Sequence, residues 1–85
     1  MVRNEVDTKI RTLIKAYLVF NRGKKCTAAE IAEFINNNGF SLNKYSLHPT
    51  RVSHMINSAK WNQSSMLYGI NIEKLNGRNH YWVEA

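Results

Sequence analysis

The chain is short of the residues that staple, interrupt or negatively charge a fold. It holds one cysteine and one proline in 85 residues, so no internal disulfide can form and stability must come from packing. No apolar run approaches the ~20 residues of a membrane span. Nor does the N-terminus resemble a signal peptide, and the sequence predicts one cytoplasmic, soluble domain over residues 1–85. Acidic residues are scarce, six against twelve basic, for a net charge of +6 and a pI near 9.8. Between Glu33 and Glu73 there is no carboxylate, only Lys44, Arg51, Lys60, His48 and His54. Such a surface can meet a polyphosphate without repulsion, which points first to nucleic acid and second to an anionic membrane surface.

The chemistry of catalysis is equally thin. There is no glycine-rich phosphate loop, and no paired carboxylates are placed for acid–base work. His48, His54, His80 and Cys26 lack the spacing of metal ligands. The expectation is a binding protein with no catalytic residue, cofactor, metal or small-molecule ligand. The eleven asparagines, including Asn36-Asn37-Asn38, carry no evident chemistry.

What is present is periodic. Ile10, Leu13, Ile14, Tyr17 and Leu18 recur with the spacing of one helical face. With Asp7 as N-cap and Gly23 as a left-handed stop, they predict a helix over Thr8–Arg22. Its Arg11, Lys15 and Arg22 stripe reads as a solvated face. Thr27-Ala28-Ala29-Glu30 is a capping box opening a second helix, Ala28–Asn38, with a brief strand at Lys24–Cys26 before it. Pro49 suits the first position of a third helix. Val52, Met55, Ile56 and Ala59 form its inner face, and Thr50, His54, Asn57 and Trp61 its outer one. The long connection Gly39–His48 carries Phe40, Leu42, Tyr45 and Leu47 as apolar anchors and has room for an extra helical turn before Pro49.

Asn76-Gly77 is a preferred pair for a two-residue type I′ turn, since both positions need positive φ. That turn sets a register pairing Leu75 with Arg78, Glu73 with His80, Ile72 with Tyr81, Asn71 with Trp82 and Ile70 with Val83. A slip of one residue would carry the apolar pairs to the wrong face.

Three segments together resemble the winged helix-turn-helix DNA-binding family: Thr27-Ala28-Ala29-Glu30-Ile31-Ala32, Arg51-Val52-Ser53-His54-Met55-Ile56, and Asn76-Gly77-Arg78-Asn79-His80-Tyr81. The likeness runs from about Thr8 to Val83, and the long Gly39–His48 connection departs from it. It implies a mainly α fold with a small β-hairpin: three helices, a short strand before the second, and a two-stranded wing. It also implies that the third helix enters the major groove of double-stranded DNA while the wing reaches phosphates or the adjacent minor groove. On that basis Arg51, His54 and Asn57 are expected near base edges. Thr50, Ser53 and Lys60 are expected on phosphates, as are Lys74, Asn76, Arg78 and Asn79 from the wing.

The expected role is a small, nucleoid-associated transcriptional regulator, monomeric or homodimeric. The alternatives are a protein- or RNA-binding assembly module and a non-specific architectural DNA-binding protein. Trp61 and Trp82 point away from the main core on this reading. They are expected to be partly covered by the loop or the sheet edge, or to join two copies.

Overall fold

The structure, a computed structural model, describes residues 3–38 and 46–85. Helix α1 spans Arg3–Phe20, strand β1 Cys26–Thr27, helix α2 Ala28–Asn37, helix α3 Pro49–Ala59, strand β2 Asn71–Leu75 and strand β3 Arg78–Trp82. Three helices thus combine with a small antiparallel sheet, in the order expected of a winged helix. Among the described residues no helix is long and apolar enough to cross a membrane.

Helix α1 begins earlier than Asp7 predicts. Val6 packs against the core at four-residue spacing from Ile10, Ile14 and Leu18, so the apolar stripe continues upstream. Asp7 is therefore a residue within the helix and not its cap. At the other end α1 stops at Phe20, short of the expected Arg22, and a turn leads to Gly23, which adopts φ +86°. Its N–H reaches Val83 O at 2.8 Å, tying the end of α1 to the residue after β3.

The capping box forms as the residues dictate. Glu30 N donates to Thr27 Oγ1 at 3.2 Å, and Thr27 N donates to Glu30 Oε1 at 2.8 Å. Those bonds stabilise the carboxylate, and they hold the Glu30 pKa below its ordinary value, with partial burial opposing. Helix α2 buries Ile31, Ala32 and Ile35, and Phe34 leans on the Tyr17 ring at 4.8 Å.

The asparagine run does carry chemistry. Asn36 brackets the Leu47 backbone, donating from Nδ2 to its carbonyl at 3.0 Å and accepting its N–H at 2.7 Å. The returning chain is pinned there, and Leu47 is buried. Phe40, Leu42, Tyr45 and the expected stop at Gly39 lie outside the described residues. Ser46, Leu47 and His48 are not helical, so no extra turn runs directly into Pro49. His48 instead caps α3, its Nδ1 accepting Thr50 N at 3.1 Å.

The hairpin register agrees with expectation from Asn71↔Trp82 to Leu75↔Arg78. Asn76 and Gly77 take φ of 53° and 79°, the signs a type I′ turn needs. The expected two-stranded wing is, however, part of a three-stranded sheet of order β1-β3-β2, with Cys26 opposite Tyr81. Between α3 and β2 the chain makes successive turns that bury Leu67 and Ile70. No helical or strand periodicity marks that segment. Tyr81 is fully buried and belongs to the same core cluster as Ile14 and Ile56.

Candidate nucleic-acid interface

The outer face of α3 is exposed, as its periodicity predicts. Val52, Met55, Ile56 and Ala59 are buried, while Thr50, His54 and Asn57 stand in solvent on the opposite side. Four inward apolar residues at helical spacing leave one contiguous outward stripe.

Two neighbours on that helix are committed elsewhere. Arg51 Nη2 donates to Asp7 Oδ1, joining α3 to α1. The carboxylate is the more shielded partner, its side chain 18% exposed against 43% for Arg51. Ser53 is half-buried and accepts the Tyr81 hydroxyl proton at 3.0 Å. The sequence alone puts Arg51 near a base edge and Ser53 on a phosphate. In the structure one links two helices and the other links helix to sheet. Neither partner can be read locally, since Asp7 is 44 residues from Arg51 and Tyr81 is 28 from Ser53.

The Ser53–Tyr81 bond also sets where the wing lies. Lys74 and Asn79 pair across the hairpin two residues from Ile72 and Tyr81, so they share the face that turns toward α3. Both are exposed, as are Asn76 and Arg78 at the tip. By the same alternation Arg78 lies with Leu75 on the other face. His80 Nδ1 lies 3.0 Å from the Arg78 carbonyl, which stiffens the start of β3.

Lys60 follows the last helical residue and sits 5.3 Å from the Trp61 ring. Trp61 is 85% exposed, so the expected partial cover is not found for it. Trp82 is half-buried beneath Lys25, whose ammonium lies 4.8 Å from its ring and 2.6 Å from Glu73 Oε1. That arrangement fastens the chain entering β1 to the outer face of the hairpin. Partial cover at the sheet therefore holds for Trp82 alone.

The remaining reactive groups are quiet. Cys26 is fully buried, and burial first, with Glu30 second, pushes its thiol pKa up. The neutral thiol is thus favoured. Among the described residues no group of three or more His, Cys, Asp or Glu is placed to hold a metal ion.

What results is a pair of surfaces: an acid-free helix face and, linked to it through the Tyr81–Ser53 bond, a hairpin carrying a lysine and amides. It offers hydrogen-bond donors and acceptors at base-edge scale next to cations at phosphate scale. Compared with known proteins, the chain matches no family model, no curated protein and no solved structure.

Proposed function

We propose that this protein binds double-stranded DNA as a winged helix, placing α3 in the major groove and the hairpin against the backbone. The observation that carries the reading is the exposed stripe Thr50, His54 and Asn57 beside a wing held in place by Tyr81–Ser53. An α-helix of this kind fits the major groove, and no carboxylate on the α3 face opposes the phosphates. His54 and Asn57 are the base readers. Asn57 has the amide that pairs bidentately with adenine. Thr50, Lys60, Lys74, Asn76, Arg78 and Asn79 hold phosphates. Arg51 and Ser53 position these groups without touching DNA.

The role that follows is a small sequence-responsive regulator acting in the DNA-containing compartment, a nucleoid-associated cytoplasmic protein. Selection of bound fragments from random duplexes at physiological salt tests it. An enriched motif supports regulation, and a palindromic one adds a dimer. Lys60, Lys74 and Arg78 should give a log K against log salt slope near −3, at about 0.9 per phosphate neutralised. Asn57→Ala should cost about 1–3 kcal/mol on the selected motif and little on random duplex. Equal affinity for every duplex would leave only architectural binding, and no affinity would end the reading.

A second reading, a protein-assembly module, draws on Phe20 and Val19 at the end of α1, 90% and 42% exposed. An assembly partner would shift amide signals there and leave Thr50–Asn57 unmoved.

A further inference from the structure

On the flank of α3 away from Ser53, α1 and the chain following α3 border an open concavity of about 280 Å³. Arg11 lines it from α1, Asn62, Ser64 and Ser65 from the connection, and Met55 and Met66 supply apolar wall. Arg11 is half-buried and has no ion pair or hydrogen-bond partner among the described residues. The carboxylate one turn back on α1, Asp7, is taken by Arg51. None of the lining residues is acidic. A partly desolvated guanidinium with no counter-ion is the kind of group an anion satisfies.

The connection adds donors and few acceptors. Asn62 Oδ1 accepts Ser64 N at 3.1 Å, which leaves its amide protons uncommitted among the described residues. Ser65 Oγ accepts Leu67 N at 3.2 Å, which leaves its hydroxyl proton to give. The C-terminal end of α3 would ordinarily repel an anion. Here its carbonyls are partly answered, Asn57 O by Lys60 N at 3.2 Å and Ala59 O by Asn62 N at 3.1 Å.

We propose that this concavity is a sugar-phosphate site. Arg11 takes the phosphate through its planar fork, Asn62 and Ser65 donate to the remaining oxygens, and Met55 and Met66 lie against the sugar carbons. The group can come from the backbone of a duplex engaged by α3, in which case the site rests on the DNA-binding reading. It can equally come from a free nucleotide, which does not depend on that reading.

The test is NMR on the full chain, following the Arg11 Nε–H and Asn62 amide side-chain signals during titration with adenosine monophosphate and, separately, with random duplex DNA. Both signals should shift, and Arg11→Gln should abolish the nucleotide-induced changes. In salt titrations of duplex binding, Arg11→Gln should flatten the slope by about 0.9, alike on every sequence. Shifts with the nucleotide in a protein that ignores duplex would support the site and remove the DNA reading. Duplex binding registered at Thr50–Asn57, with Arg11 unmoved by either ligand and its variant's salt slope unchanged, would overturn the site and keep the DNA reading. Because the parent's own side-chain signals are read, the outcome stands however well Arg11→Gln folds.

Discussion

Replacing Arg51 by alanine separates support from recognition on one side chain. Arg51 and Asp7 form a charged hydrogen bond whose acceptor is well shielded and whose donor is not. Fully exposed pairs are worth about 0.2–1 kcal/mol, and shielded bonds to charged groups about 1.5–3 kcal/mol. A half-shielded pair falls between, so Arg51→Ala should cost about 1–2 kcal/mol, a drop of roughly 4–16 °C in Tm for a domain of this size. Thermal and urea unfolding of Asp7→Ala, Arg51→Ala and the double variant complete a cycle. Deleting the arginine strands a carboxylate that is 18% exposed. The double variant should therefore lose less than the two singles together, with a coupling of about 1 kcal/mol. Duplex affinity should fall uniformly across sequences or stay the same. If Arg51→Ala melts with the parent yet loses about 1–3 kcal/mol on one preferred sequence alone, the side chain leaves Asp7 to read a base, and its supporting role is wrong.

Other perturbations probe the remaining contacts. Tyr81→Phe removes one hydroxyl from a fully buried ring. It should cost about 0.5–1.5 kcal/mol in urea unfolding and broaden the amide signals of Lys74 and Asn79, whose placement depends on that bond. Thr27→Ala should cost about 1 kcal/mol through the lost cap. The lowered Glu30 pKa contributes stability that is complete above its unfolded value, near 4.5, and is lost as pH falls through the folded one. Glu30→Gln should accordingly lose less stability than the parent between pH 7 and pH 3, measured by denaturant titration. Gly77→Ala places a side chain at φ +79° in open space. Its cost, about 1 kcal/mol, comes from backbone strain and should appear in Tm without broadening the core signals.

The parts of the fold legible in the sequence are those specified by near neighbours along the chain. A capping box, a proline at a helix start and an Asn-Gly turn each act within four residues, and each forms at its expected place. Asp7 misleads because its helix-starting preference is local, whereas Val6 gains by packing on a distant core. The chain from Lys60 to Ile70 is silent because its turns repeat no apolar period, although it buries Leu67. Strand β1 is only two residues long, and nothing within it names β3 as its partner. At the candidate interface, periodicity sets Thr50, His54 and Asn57 outward correctly. It carries no information that Arg51 and Ser53 have partners across the molecule, nor that Arg11 is half-buried in a concavity and not on an open surface.

The sheet order has a consequence for how the protein is made. Strand β3 is the last of the six elements to leave the ribosome, yet it is the middle strand, and both its neighbours hydrogen-bond to it and not to each other. Until Tyr81 emerges, Cys26 has no opposite number and the apolar interior lacks its largest ring. The sheet can therefore close only after the last strand has been made, so its pairing on both sides depends on one late-arriving segment.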